Sequence, residues 1–244
     1  MTGAFWLLLA AAWAGAQNAL AGGGTFVTLP ALLLWGLDPL SANVTSTVAL
    51  FPSQVVSGMA SRRSVVGPPG LPAPLLLGIA GVGGLAGAGL LLVTPVAVFT
   101  RLVPWLVLFA TGVFAWGSYV RRPLVGEWRR PRTAAAVQGL IGVYGGYFGG
   151  GIGFLILALL TGAGVSLRAA GATKNALAAV INLGAVLVFV LSPAVQWQAA
   201  ALVCVGSTAG GFAGSWALQR LPERVLRGTV VVIGLVLAAG LFLR

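Results

Sequence analysis

Apolar runs of roughly 20 residues recur from one end of this chain to the other, and almost nothing charged interrupts them. A run of that length matches a hydrocarbon core about 30 Å thick, where backbone N–H and C=O groups find no water and must bond one another within helices. Only 7% of the 244 residues are charged and 59% are hydrophobic, which leaves too few polar side chains to clothe a soluble domain. The expectation is an all-α polytopic membrane protein, a single membrane domain over 1–244 with the lipid bilayer as its solvent. Candidate segments lie at 3–35 (interrupted), 44–60, 71–93, 103–120, 134–162 (interrupted), 170–191, 197–219 and 225–243. The N-terminal MTGAFWLLLA carries no Lys or Arg, so it lacks a signal peptide's basic n-region and reads as a retained first helix.

The formal net charge of +11 comes from 14 basic against 3 acidic residues. The arginines occupy short loops between apolar runs, which is the positive-inside pattern of a membrane protein and not the basic face of a nucleic-acid binder. Cys204 is the lone cysteine and histidine is absent, which excludes an internal disulfide, a CxxC redox pair and a transition-metal centre. No catalytic residue and no cofactor is expected.

The chain resembles itself. Sliding it by 128 positions lays Gly22, Gly23, Phe26, Leu29, Leu32, Gly36, Ala42 and Thr45 on Gly150, Gly151, Phe154, Leu157, Leu160, Gly164, Ala170 and Thr173 without a gap. This predicts two homologous repeats, 1–120 and 134–244, joined by an arginine-rich cytoplasmic linker, 121–133. If Arg62–Arg63, the five arginines of 121–132 and the Arg220, Arg224, Arg227 cluster all face the cytoplasm, an even number of crossings separates each pair of clusters. Three apolar segments lie between the second cluster and the third, so one should not cross. The segment with GGG at its centre fits: two helical pieces meeting at the glycines, both ends on one side. Each repeat then holds one glycine-broken re-entrant hairpin and three crossings, the repeats are inverted, and both termini are extracytoplasmic. Arg101 and Arg244 fit this layout less well, and the rival layout is eight plain crossings in two parallel repeats, with the 220–227 cluster outside.

Glycine triplets inside apolar helices need a reason, because an unpaired N–H at membrane depth costs several kcal/mol. Such breaks are tolerated where they line a cavity, and the half-helix after a break offers free N–H groups and a positive dipole end to an anion. Gly22, Gly23, Gly24 and Gly149, Gly150, Gly151 are candidates for two such sites facing each other at mid-membrane. Close helix packing is the competing explanation, and it is preferred for Gly81, Gly83, Gly84, Gly87 and Gly89. After each hairpin comes a polar stripe: Thr45, Ser46, Thr47 and Gln54 align with Thr173, Lys174, Asn175 and Asn182, and each seven-residue spacing keeps one helical face. These residues either line one central cavity or bond helix to helix. Tyr147 and Tyr144 sit just before the second break, and Gln17 and Asn18 just before the first.

Lys174 is the only lysine and lies within an apolar segment that holds no Asp or Glu. A cation without a protein counter-ion there implies an anionic ligand, the alternative being a side chain that snorkels to the interface.

At AGGGTFVTLPALLLWGLDPLSANVTSTVA and GVYGGYFGGGIGFLILALLTGAGVSLRAAGATKNALAAVINLGAVLVF the sequence resembles the TauE/SafE, or sulfite exporter, family of membrane permeases, and the likeness covers nearly the whole chain. Asn43 and Pro52 depart from the small apolar residues expected there. The resemblance implies a secondary transporter of the bacterial cytoplasmic (inner) membrane that exports a small sulfur-containing anion such as sulfite or an organosulfonate without ATP hydrolysis. The rival functions are an anion channel or uniporter, and an intramembrane hydrolase built on a Ser46–Lys174 pair. The partners expected are a small anionic substrate and lipid, with no nucleic acid; a homo-oligomer is left open.

Overall fold

The computed structural model describes residues 2–20, 23–119, 130–217 and 223–243. Among these it contains ten α-helices and no strand: α1 (Thr2–Leu20), α2 (Thr25–Leu34), α3 (Pro39–Ser61), α4 (Ala73–Val93), α5 (Val96–Tyr119), α6 (Pro131–Tyr147), α7 (Ile152–Gly162), α8 (Leu167–Phe189), α9 (Trp197–Ala217) and α10 (Glu223–Phe242). By length and composition, α4, the Val96–Trp116 part of α5, and α8 can each cross a membrane. The helix α2 has 10 residues and α7 has 11. At 1.5 Å rise per residue each is about 15 Å long, half of a hydrocarbon core.

α3 and α5 begin five or more residues earlier than hydropathy suggests. Asp38 caps α3 by accepting from the N–H groups of Leu40 and Ser41, and Pro39 fills the first helical position, so α3 starts at 39 and not at 44. In α5, Pro104 lies inside the helix rather than opening it near 103. The half-helices end alike. The N–H of Leu37 reaches back to the Leu32 carbonyl, as that of Val165 does to Leu160. Gly36 and Gly164 take φ of 105° and 93°, the left-handed turn such an ending requires.

α1 and α2 form a hairpin. The ring of Trp35, just past α2, lies against Gly3 at the start of α1, while at the other end the Gly24 N–H bonds the Asn18 carboxamide. α6 packs on α7 likewise, with Gly145 against Ile152. Both half-helices rest on α5, where Phe114 meets Phe26 and Phe154 edge to face at centroid distances of 6.4 and 4.1 Å.

Long helices meet through small residues, as expected where no hydrophobic force drives helices together. In the α4–α6–α8 seam Gly83 lies on Gly142, Gly87 on the Val143 carbonyl, and Gly84 between Gly146 and Ile181. In the α1–α9 seam Gly15 lies on Ser207 and Gly210 on Ala12. Residue numbers rise together along α4 with α6 and along α1 with α9, so both pairs run parallel. α3 and α8 run antiparallel at the centre: Gly58 meets Ala179, Ser61 bonds Asn175, and Val66 beyond α3 bonds Thr173. Of the third segment's glycines, Gly81, Gly83, Gly84 and Gly87 pack closely, whereas Gly89 has open space around it.

Candidate functional site

The two breaks are held open by different devices. At the first, Gly23 has φ of 84°, Gln17 Nε2 donates to its carbonyl at 3.5 Å, and the Asn18 side chain takes the Gly24 N–H at 3.4 Å. Gly22 lies outside the described residues. At the second, Gly149 and Gly151 have φ of 77° and 76°, which favours glycine at both. The Tyr144 hydroxyl donates to the Gly150 carbonyl at 2.8 Å, and Asn43 Nδ2 of α3 donates to the free Tyr147 carbonyl at the end of α6, at 3.1 Å. Asn43, out of place in the apolar pattern, thus satisfies a helix terminus that membrane would otherwise leave unpaired.

Between the breaks lies a cavity of about 50 Å³. A water needs about 10–15 Å³ on such a measure, so the space suits a few waters or one ion of four or five heavy atoms. Gly23 and Thr25 of the first break and Gly149, Gly151, Ile152 and Gly153 of the second line it. Asn18, Gln54, Ser57, Lys174, Asn175 and Ala178 close the walls. Among the described residues the N–H groups of Gly150, Gly151, Ile152 and Gly153 bond no acceptor, which leaves the start of α7 open toward the cavity. The stem of Lys174 packs beside Gly153, and its ammonium makes no ion pair or hydrogen bond among them. The Gln54 Oε1 atom is buried without a partner, and among the described residues no acidic side chain lines the cavity. A concave space with one cation, free N–H groups and no carboxylate can hold an anion and repels none.

The remaining expected residues have other uses. Thr45 accepts the N–H of Gln196 before α9 at 3.0 Å, and Thr173 both accepts from and donates to the backbone of Val66 before α4 at 3.0 Å. The two threonines are thus matching latches on loops of the opposite half. Ser46 is fully buried and bonds Thr28 at 2.6 Å; it makes no hydrogen bond to Lys174. Thr47 donates to the Asn43 carbonyl, and its hydroxyl comes near Gly149. Asn182 donates to Ala178, and the Tyr147 hydroxyl to Thr94 at 3.5 Å. Gly24 and Gly150 lie in the breaks without lining the cavity. Ser57, Thr25 and Gly153 line it and were not expected there. Thr25 and Gly153 are 128 positions apart, so the repeat offset pointed to both.

Comparison with known proteins shows what the chain is similar to. The chain is 30% identical to the probable membrane transporter protein YfcA of Escherichia coli K12, over 96% of this chain and 88% of the relative. It is 29% identical to the probable membrane transporter protein ORF9 of a Sinorhizobium species, over 95% and 89%. A probable membrane transporter protein of Haemophilus influenzae is 28% identical, over 91% and 88%. No solved structure matches. The profile of the sulfite exporter TauE/SafE family matches residues 7–241, and the chain is a member of that family, whose proteins are membrane transporters.

Proposed function

We propose that this protein is a secondary transporter that exports a small sulfur oxyanion or organosulfonate, such as sulfite, across the bacterial cytoplasmic membrane. The observation that carries the reading is the cavity at the breaks: Lys174, without a hydrogen-bond or ion-pair partner among the described residues, stands beside a half-helix whose first N–H groups bond no acceptor among them. Lys174 supplies the charge, the free N–H groups of Gly151, Ile152 and Gly153 beside Gly149 supply donors, and Asn175, Asn18 and Gln54 complete the set. The side chains of Thr45, Ser46, Thr47, Thr173, Asn182 and Tyr147 support this site from behind, and Gly23 and Thr25 form its opposite wall.

Two inverted repeats, α1–α5 and α6–α10, account for the architecture. Four features support this: the parallel α1–α9 and α4–α6 pairs, the antiparallel α3–α8 pair, the reciprocal threonine latches, and left-handed glycines at Gly23 and Gly151 and at Gly36 and Gly164, each pair 128 apart. Each hairpin is re-entrant, the arginine clusters and the 121–133 linker are cytoplasmic, and both termini are extracytoplasmic. Transport is a rocking of one repeat against the other about the cavity.

The test is sulfite counterflow in proteoliposomes with the parent, Lys174→Ala and Lys174→Arg. Accumulation in the parent, lost in Lys174→Ala and partly kept in Lys174→Arg, is the expected result. Uptake that saturates poorly and shows no counterflow would identify a channel, and equal counterflow in all three proteins would remove Lys174 from the site.

A further inference from the structure

We infer that Asn18 and Ser57 form a partition that limits the central site to compact oxyanions such as sulfite and keeps longer organosulfonates out. This deepens the anion-carrier reading of the cavity and rests on it. A second space, of about 270 Å³, lies beside the central cavity between α1, α3 and α9. Asn18 and Ser57 are the two residues that line both spaces, so their side chains stand between them. The two sides differ in chemistry. The central cavity is small, about 50 Å³, and carries Lys174 and the open start of α7, whereas the second is walled largely by Gly15, Pro52, Val56, Gly211 and Phe212. A sulfonate head suits the first, and the room for an alkyl chain on that head lies behind the partition.

Both side chains are held in place. The Asn18 carboxamide accepts the Gly24 N–H across the first break at 3.4 Å, and the bare Gly24 lets it close in, since a Cβ there would come within 3.2 Å of the Asn18 Cβ. The Ser57 hydroxyl donates to the Ser53 carbonyl one turn earlier at 3.0 Å, which fixes its rotamer. The backbone beneath Ser57 is fixed in turn by the contact of Gly58 with Ala179 of α8. The wall is thus anchored at both residues.

The space behind the partition is written into the sequence. Counting 128 positions on or back, Asn18, Ser57 and Phe212 correspond to Gly146, Ala185 and Gly84. In the α4–α6–α8 seam Gly146 lies directly on Gly84, and Ala185 is fully buried. A carboxamide and a phenyl ring in place of those two glycines prevent the same backbone contact between α1 and α9. What one half seals with glycines the other props open with Asn18 and Phe212. Trimming one side chain of the partition therefore joins a polar site to an apolar space.

The test is thermal unfolding of purified protein titrated with sulfite, methanesulfonate or propane-1-sulfonate, which gives an apparent affinity for each without any transport. The parent, Asn18→Ala and Ser57→Gly are compared, with Ala185→Gly, the twin of Ser57 in the closed seam, as control. The readout is the ratio of the two sulfonate affinities, because Asn18 also offers the site a donor and its loss weakens every anion. In the parent sulfite and methanesulfonate should bind and propane-1-sulfonate should not. In either partition variant the two extra methylenes enter the apolar space, which should move the ratio by about tenfold toward the longer sulfonate. Ala185→Gly should keep the parent's ratio. Each fold is checked by a monodisperse elution profile, and Asn18→Ser, which keeps an acceptor for Gly24, stands in if Asn18→Ala unsettles the break. Equal binding of both sulfonates by the parent, or an unchanged ratio in both partition variants, would overturn the partition and leave sulfite binding in place. No shift with any of the three anions in any protein would remove the anion site and the partition together.

Discussion

Gly84→Ala tests the packing logic most directly, because a single methyl group lands where the structure has no room. A Cβ on Gly84 would overlap the Ile181 carbonyl oxygen and sit 2.9 Å from its carbon and 3.0 Å from its Cα, where ordinary contact begins at 3.4 Å. The obstruction is helix backbone, not the movable end of a side chain. So α8 must back away from α4 by half an ångström or more, and Gly81–Gly184 beside it opens as well. A gap of about 0.5–1 Å forfeits a quarter to a half of the dispersion energy of each atom pair it separates. Overpacking of this kind costs about 1–3 kcal/mol, and the backbone obstruction places Gly84→Ala near the upper end. For a chain this long, about 2–3 kcal/mol lowers Tm by roughly 4–12 °C. The assay is thermal unfolding of purified protein in one detergent, followed by fluorescence-detected size exclusion. Gly89→Ala and Gly78→Ala are the controls, since nothing lies within 4 Å of either added Cβ. In those two the gain in helix propensity, up to about 1 kcal/mol, should leave Tm unchanged or raised. A Gly84→Ala protein as stable as the parent, or controls equally damaged, would refute the seam.

Three further outcomes follow from single contacts. Gly36→Ala meets no neighbour but must hold φ of 105°, so it should cost about 1–2 kcal/mol by backbone strain alone and leave substrate affinity unchanged, measured as Tm beside sulfite-dependent thermal shift. Gly151→Ala carries similar strain at 76° with Ala110 only 3.2 Å away, and because it turns the start of α7 it should abolish that sulfite-dependent shift as well. Thr173→Val keeps the shape but strips both bonds to Val66, each worth about 1 kcal/mol net, so Tm should fall while Lys174-dependent counterflow survives; Ser46→Ala should likewise spare counterflow, and loss of transport there would restore the Ser46–Lys174 pair as a reactive unit.

Helices were legible because hydropathy and glycine punctuation are local signals: α8, expected at 170–191, is found at 167–189, and the left-handed glycines fall within the two glycine runs singled out along the chain. Lys174 was legible because a lone charge in an apolar segment has few explanations. The roles of Thr45 and Thr173 were not. A threonine in an apolar helix looks the same whether it bonds a ligand or a distant backbone, and their partners lie 151 and 107 residues away. Asn43 was hidden for the same reason, its partner Tyr147 being 104 residues off. The segment expected at 103–120 begins at Val96 in the structure, and α5 continues through Pro104 although proline usually marks a helix end.

The difference between α3 and α8 has a physical logic under the two-repeat reading. A repeated backbone places two matching breaks about one axis, and that fixes where a ligand can sit. It does not fix what charge surrounds it. Lys174 corresponds to Ser46, which is buried against Thr28 and carries no charge. A lysine at both positions would set two cations near one small cavity that holds no carboxylate to separate them, and each would disfavour the charged form of the other. One lysine is enough to balance a single anionic charge, and release must remain feasible once that anion has crossed. The same division runs along the two helices, with Ser53, Ser57 and Ser61 on α3 where α8 has the fully buried Ile181, Ala185 and Phe189. Making the α8 face polar should therefore loosen its seam with α4 and α6. Ala185→Ser, which adds one hydroxyl at a fully buried position, is expected to cost about 1 kcal/mol or more, read as a lowered Tm. An unchanged Tm would mean that the glycine contacts, such as that of Gly84 with Ile181, and not the apolar lining, hold the seam together.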